Sequence, residues 1–140
     1  MSKVAVVYWS GTGNTEAMAN AVAEGVSENG GIANLYCISD FNSSKIEDFD
    51  AIAFGCPAMG GEVLEEEEFE PMFNSCEPKL KGKKIALFGS YGWGDGEWMR
   101  NWEETCRNDG AVLSTESVIC NGMPDDEAIG QCRALGKSLV

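Results

Sequence analysis

Residues 4–15 read VAVVYWSGTGNT, an almost continuously apolar run followed by a turn rich in glycine and hydroxyl groups. The apolar run predicts a strand that is buried on both faces. After the turn, Met18, Val22 and Val26 recur at helical spacing, and the Gly30-Gly31 pair is a helix stop. A buried strand joined by a short loop to a helix begins a β-α-β unit. The start of the chain therefore predicts a parallel sheet covered by helices.

The same alternation continues to the end of the chain. Residues 51–55 and 85–89 are short and apolar, so with residues 4–9 they are predicted to be the central strands. Residues 32–38 and 112–119 contain interleaved polar side chains and are predicted to lie nearer the edges. Further helices are predicted from the apolar stripes Phe69, Met72, Phe73 and Cys76; Trp98, Trp102 and Cys106; and Ile129, Cys132, Leu135 and Leu139. Residues 1–140 are predicted to form one domain. With right-handed crossovers, its ligand crevice is expected at the carboxyl ends of the first and third strands.

The charge of the chain limits its partners. There are 23 Asp and Glu against 10 Lys and Arg, which gives a formal net charge of −13. Such a field repels nucleic acid and anionic membranes and favours basic partners, although acidity can also serve solubility alone. No secretory or membrane-spanning pattern is present, so we expect a cytoplasmic protein. The absence of histidine excludes imidazole chemistry and most zinc and iron sites.

The cysteines do not form a recognisable redox or metal motif. None of the six falls in a C-x-x-C pair, and most stand in apolar surroundings. We expect them to be reduced and largely buried.

Three loops are predicted at one edge of the sheet, because each follows the carboxyl end of a central strand. In the first, residues 10–15, glycines allow backbone N–H groups to converge on an anion at a helix start. The loop has no Lys or Arg and lacks the P-loop and dinucleotide spacings. A cofactor monophosphate therefore fits better than ATP or NAD. The alternative is an ordinary turn in which Asn14 or Thr15 caps the helix.

The second and third loops, residues 57–62 and 90–95, carry a candidate ring site. Trp93 lies between two glycines and could stack on one face of a planar ligand, with Met59 against the other face. A Trp in a loop is equally often a packing anchor. The three loops together are therefore stronger evidence for a ligand site than Trp93 alone.

Three motifs in these loops resemble those of the short-chain flavodoxins. They are YWSGTGNTE at residues 8–16, GCPAMGGE at residues 55–62 and LFGSYGWGDGEWM at residues 87–99. The resemblance covers essentially the whole chain and implies the flavodoxin-like three-layer α/β/α fold, with a five-stranded parallel sheet of order 2-1-3-4-5, and one noncovalent FMN. The cofactor-binding residues that it implies are Trp9, Ser10, Gly11, Thr12, Gly13, Asn14, Thr15, Pro57, Ala58, Met59, Gly60, Gly61, Glu62, Ser90, Tyr91, Gly92, Trp93, Gly94, Asp95 and Asn121.

The resemblance also implies roles for these residues. The phosphate would lie in residues 10–15 and the isoalloxazine ring between Met59 and Trp93. Glu62 would accept a hydrogen bond from the pyrimidine N–H, and amides near Gly92 would contact the pyrimidine oxygens. Asn121 would approach the ribityl chain.

A flavodoxin is expected to be an electron carrier and not an enzyme. It would shuttle between semiquinone and hydroquinone at low potential and pass electrons between redox enzymes in place of ferredoxin. A peptide flip at Gly60-Gly61 would favour the semiquinone, because a glycine pair suits both type II and type II′ turns. Gly61 is a departure, since some members have a larger residue there.

Acidic residues near Glu62 predict a low potential for the second electron. They also predict an acidic rim on which basic redox enzymes, such as flavodoxin or ferredoxin reductases, dock transiently. The carrier itself is expected to be a monomer. These acidic residues are Glu65, Glu66, Glu67, Glu68, Glu70, Asp95 and Glu97. The alternative is that the Glu run is only a solvated helix start.

Other classes of protein fit less well. An FMN-dependent quinone or azo reductase would need a substrate pocket and a nicotinamide docking surface, usually with extra loops. A phospho-acceptor signalling domain needs an Asp at the end of its third strand, where this chain has Gly55-Cys56-Pro57. A purely structural role would leave residues 10–15 and Trp93 unexplained. Cys56 adjoins the predicted site, and a redox-active thiol is weighed there against packed core.

Overall fold

The computed structural model describes residues 2–11, 13–60 and 62–140. The strands are β1 (Lys3–Tyr8), β2 (Ile32–Cys37), β3 (Ala51–Gly55), β4 (Lys84–Tyr91), β5 (Val112–Leu113) and β6 (Val118–Asn121). The helices are α1 (Asn14–Glu28), α2 (Phe69–Cys76), α3 (Glu97–Asn108) and α4 (Asp126–Ser138). Within the described residues, no helix is long and apolar enough to cross a membrane.

The strands form one parallel sheet in the order β2-β1-β3-β4-β5, which confirms the predicted order. The register aligns the carboxyl ends of the central strands: Gly55 of β3 pairs with Tyr8 of β1 on one side and with Phe88 of β4 on the other. The segments that follow β1 and β3 therefore emerge side by side, and the end of β4 lies next to them.

The predicted fifth strand, residues 112–119, is divided into β5 and β6. Both pieces pair with β4, through Ile85↔Leu113 and then Phe88↔Val118. Four residues, 114–117, thus lie opposite only two on β4, so they cannot stay in the ladder and loop out. The prediction of one continuous strand was wrong for this reason, although its place next to β4 is confirmed.

The end of β4 also differs from the prediction. Ser90 and Tyr91, which were predicted to lie in the following loop, are the last two residues of the strand. They stay in the ladder because β6 continues past the predicted end and pairs with them, through Ser90↔Cys120 and Tyr91↔Asn121.

Two apolar clusters lie on opposite faces of the sheet, as the alternation of β1 side chains shows: Val4 and Val6 belong to one cluster, Ala5 and Val7 to the other. Helices α1 and α4 cover the first face, and α2 and α3 cover the second. The backbones of α1 and α4 are in close contact, since a Cβ on Gly136 would lie 2.1 Å from the Val22 carbonyl oxygen. This packing leaves the carboxyl edge of the sheet free for a site.

Candidate functional site

The loop after β1 turns tightly into α1. Gly13 precedes the first helical residue with a φ of 95°, so neither Asn14 nor Thr15 is the N-cap that one alternative predicted. The Ser10 hydroxyl oxygen accepts hydrogen bonds from the amides of Gly13 at 3.0 Å and Glu16 at 3.3 Å. These bonds fold the loop back on the helix start, where backbone N–H groups favour an anion.

Thr15 provides an unused polar group at this helix start. The residue is 1% exposed, and within the described residues its Oγ1 atom has no hydrogen-bond partner. A buried hydroxyl without a partner is costly, so its presence next to a cavity indicates that a ligand supplies the missing bond. Thr12, another predicted loop residue, lies outside the described residues.

The loop after β3 forms a closed turn. The Glu62 amide donates to the Met59 carbonyl at 2.9 Å, and the Met59 amide donates to the Val63 carbonyl at 2.8 Å. Gly60 does not have the positive φ that the first central position of a type II′ turn requires. Gly61 lies outside the described residues.

Glu62 joins this turn to the loop after β4. Its backbone has a φ of 53°, an uncommon conformation for a residue with a side chain. Its Oε1 atom accepts a hydrogen bond from the amide of Gly96 at 3.3 Å, at the start of α3. Gly94 has a φ of 90°, which strains any residue with a side chain, and a Cβ there would also lie 2.3 Å from the same oxygen.

The loop after β4 exposes an aromatic ring. Trp93 is 64% exposed and lies between Gly92 and Gly94. Asp95, which was predicted to contribute to the acidic rim, forms an ion pair with Arg100 at 2.9 Å. Its negative charge is therefore partly offset by its own neighbour.

Hydrogen bonds connect the end of β6 to this loop. The Ser90 hydroxyl donates to the Gly122 carbonyl at 2.6 Å, and the Asn121 side-chain amide donates to the Gly92 carbonyl at 3.5 Å. The Ser90 carbonyl in turn accepts from the amide of Ala58 at 3.0 Å. Hydrogen bonds thus connect the ends of β3, β4 and β6.

A cavity of about 450 Å³ lies where the three loops meet. Its lining consists of Trp9, Ser10, Gly11, Asn14, Thr15, Pro57, Ala58, Met59, Ser90, Tyr91, Gly92 and Gly122. The structure therefore brings most of the predicted site residues together around one space. The predicted residues that are described but do not line it are Gly13, Gly60, Glu62, Trp93, Gly94, Asp95 and Asn121.

Gly122 was missed by the sequence analysis, which considered Asn121 instead. Its φ of 68° and its contact with Ser90 place it at the cavity wall. The sequence signal that could have identified it is a glycine that directly follows the end of a strand.

Glu65 was wrongly assigned to the acidic rim. It is 6% exposed, and its carboxylate accepts hydrogen bonds from the amides of Glu67, Glu68 and Phe69 at 2.9, 2.8 and 2.7 Å. Burial opposes ionisation, but the three amide donors outweigh it and the pKa of Glu65 is lowered. Glu65 therefore stabilises the start of α2 instead of facing a partner.

Cys56, next to the cavity, is fully buried, and burial raises the pKa of its thiol to about 12. Its Sγ atom accepts a hydrogen bond from the Glu65 amide at 3.4 Å. A thiol with so high a pKa is a poor nucleophile, which favours a packing role. Cys37 is exposed, contrary to the general expectation of buried cysteines, because it ends the edge strand β2.

Comparison with known proteins places this site in a family. The model of the flavodoxin family matches residues 6–136. The chain belongs to the flavodoxin family. It is 48% identical over 135 residues to the flavodoxin of Clostridium beijerinckii, covering 96% of this chain and 97% of that one. It is 46% identical over 135 residues to the flavodoxin of Megasphaera elsdenii, covering 96% of each chain.

The structural comparison agrees with the sequence comparison. The solution structure of two-electron reduced Megasphaera elsdenii flavodoxin matches with a TM-score of 0.90, covering 97% of each chain at 46% identity. With 140 residues, the chain has the size of a short-chain flavodoxin.

Membership of the flavodoxin family identifies the cofactor and the class of protein. The chain is an FMN-binding electron carrier that exchanges electrons with redox partners, and it is not an enzyme. The reductase alternative is not supported. The residues present fit FMN, since at a helix start the Thr15 hydroxyl has no partner in the part of the chain that the structure describes, and the cavity has the size of a cofactor pocket.

Proposed function

We propose that the chain carries single electrons at low potential, shuttling between FMN semiquinone and hydroquinone, and serves redox enzymes in place of ferredoxin. The observation that carries this proposal is the shared cavity, lined by both Met59 and Thr15, whose hydroxyl has no hydrogen-bond partner among the described residues. A flavin can hold one or two added electrons, and the surrounding protein sets the separation of the two steps.

The proposed contacts follow the three loops. Residues 10–15 hold the phosphate, and Met59 and Trp93 flank the isoalloxazine ring. Glu62 accepts a hydrogen bond from the pyrimidine N–H through Oε2, since Oε1 is used by Gly96. Amides near Gly92 contact the pyrimidine oxygens, and Asn121 lies towards the ribityl chain.

The low second potential rests on negative charge near the ring. Glu62 is ordered at the site, and Glu66, Glu67, Glu68 and Glu97 are exposed on the neighbouring segments. These carboxylates oppose the further negative charge of a hydroquinone. Glu65 and Asp95 contribute less to the low potential than a free carboxylate would. Amide donors stabilise the charge of Glu65, and Arg100 stabilises that of Asp95.

Carboxylates on the same segments form the proposed docking surface. We define the acidic rim as the exposed Glu66, Glu67 and Glu97 together with the half-buried Glu70. Its charge suits brief contact with basic reductases and oxidoreductases, with an association rate that falls as salt increases. A monomer in the cytoplasm is the form that we propose for this role.

A redox titration tests the proposed function. Purified protein reconstituted with FMN should show a flavin spectrum, and stepwise reduction with dithionite should pass through a well-populated neutral semiquinone. Direct conversion to the hydroquinone with no semiquinone absorbance would contradict one-electron shuttling.

A further inference from the structure

The indole of Trp9 lies across the phosphate loop. Trp9 directly follows β1, and its backbone amide donates to the Gly55 carbonyl at 3.1 Å. Its six-membered ring rests on Gly11: a Cβ on that glycine would lie 3.0 Å from Cη2 and 3.3 Å from Cζ3 of Trp9. The ring therefore covers one side of a loop whose glycines would otherwise leave it flexible.

The other end of the same indole is tied to a distant segment. Trp9 Nε1 donates a hydrogen bond to Oε1 of Glu68 at 3.3 Å, across 59 positions of sequence. Glu68 is the residue before α2, yet its side chain does not cap that helix. The carboxylate of Glu68 is therefore directed to the indole and not to the helix that it precedes.

Hydrogen bonds to the preceding segment fix the backbone position of Glu68. Its backbone amide donates to the buried Glu65 carboxylate at 2.8 Å, and the Glu65 amide donates to Cys56 Sγ at 3.4 Å. A continuous set of hydrogen bonds thus runs from the end of β3 to Glu68 and then to Trp9. The indole connects this set to Gly11.

We propose that the Trp9–Glu68 link holds the phosphate loop in its anion-binding conformation, so that Glu68 is a positioning residue for the phosphate group of the cofactor. The inference rests on the proposed location of the phosphate in residues 10–15. A carboxylate repels a phosphate, so Glu68 does not act as a direct ligand. Its effect passes through the indole, whose Nε1–H donates to the Glu68 carboxylate.

The test compares FMN with riboflavin, which lacks the phosphate. Apoproteins are titrated with each flavin, and the dissociation constants are measured by quenching of flavin fluorescence. In Glu68→Ala, we expect the FMN dissociation constant to rise about fivefold, the effect of one modest hydrogen bond, while that of riboflavin stays unchanged. Trp9→Phe removes the donor together with Cη2 and Cζ3, the ring atoms that rest on Gly11, and should lower the preference for FMN over riboflavin in the same direction.

Two further variants separate the link from charge and folding. Glu68→Gln keeps an acceptor for Trp9 Nε1 and should bind FMN at least as tightly as the parent. Glu67→Ala removes a carboxylate from the same exposed segment and should leave the preference for FMN unchanged. Thermal unfolding of each apoprotein verifies that it is folded.

The inference is overturned if Glu68→Ala behaves like Glu67→Ala, or if riboflavin binding weakens as much as FMN binding. It is also overturned if Glu68→Gln loses as much affinity as Glu68→Ala, because Gln keeps the hydrogen-bond acceptor on which the link depends. A parent protein that binds FMN no better than riboflavin would instead refute the proposed phosphate site.

Discussion

The carboxylate of Glu62 accepts a hydrogen bond from the backbone amide of Gly96 at 3.3 Å, and so joins the loop after β3 to the start of α3. A helix N-terminus favours a nearby carboxylate, so this contact helps to hold the Glu62 side chain against the start of α3. Its left-handed backbone, with a φ of 53°, turns the side chain towards the loop after β4. One residue thereby fixes the relative position of the two loops proposed to flank the ring.

Replacing Glu62 with Gln should raise the semiquinone/hydroquinone potential. The change keeps the shape of the side chain but removes the negative charge proposed to lie nearest the ring. We expect a rise on the order of 60 mV, which corresponds to about 1.4 kcal/mol for a one-electron couple. Spectroelectrochemical titration measures it, with Glu67→Gln as a control for a charge on the exposed segment. Equal shifts in the two variants would refute a specific role for Glu62.

Replacing Gly94 with Ala should destabilise the protein by about 1–3 kcal/mol. Gly94 has a φ of 90°, and an added Cβ would lie 2.3 Å from Glu62 Oε1. Urea unfolding of the apoprotein measures the loss. Gly30→Ala is the matched control, since Gly30 has a φ of 87° and its Cβ would meet no atom within 4 Å; a similar loss in both variants would argue against the clash with Glu62.

Replacing Gly61 with Val should lower the maximal semiquinone fraction in a redox titration. The turn from Met59 to Glu62 is closed by a hydrogen bond of 2.9 Å, and a β-branched side chain at its second central position disfavours a type II form. The oxidised protein should still bind FMN. An unchanged or higher semiquinone fraction would refute the proposed peptide flip.

The stability of the protein should fall as pH rises through about 7, because of a pair of carboxyl groups where α2 and α3 end. Burial, a hydrogen bond with Asp109 and the charges of Asp109 and Glu70 raise the pKa of Glu77 from 4.5 to about 7. Within the described residues, Asp109 Oδ2 is buried without a donor, so a proton on Glu77 provides the missing bond. A raised folded-state pKa stabilises the protein fully below the unfolded value of 4.5, and this contribution is lost as pH rises through about 7.

Chemical unfolding between pH 5 and pH 8 measures this effect. Glu77→Gln donates to Asp109 at every pH and should remove this part of the pH dependence, whereas the exposed Glu104→Gln should retain it. A pH profile that is identical in the parent and in Glu77→Gln would refute the shared proton.

Alkylation at neutral pH should modify Cys37 first. It is the exposed cysteine, whereas burial raises the pKa of the Cys56, Cys106 and Cys132 thiols to about 12 and that of Cys76 to about 11. Iodoacetamide followed by mass spectrometry should find one rapid modification that Cys37→Ser abolishes. Rapid labelling of Cys56 in the folded protein would restore the hypothesis of a reactive thiol near the site.

The sequence alone determined the sheet order and the edge at which the site lies. Buried parallel strands are apolar throughout, and short loops after them must emerge at one edge, so this pattern by itself places residues 10–15 and Met59 near each other. The four helices were also predictable, because their apolar stripes recur at the helical period.

Only the tertiary structure decided which carboxylates face solvent and which parts of the loops are joined. Glu65 and Glu67 belong to the same acidic run, yet Glu65 is buried with its carboxylate bonded to three backbone amides, whereas Glu67 is exposed. The contacts of Glu62 with Gly96 and of Trp9 with Glu68 connect segments that are distant in sequence. No local pattern encodes such contacts, because the free energy of a hydrogen bond depends on where the fold places both partners.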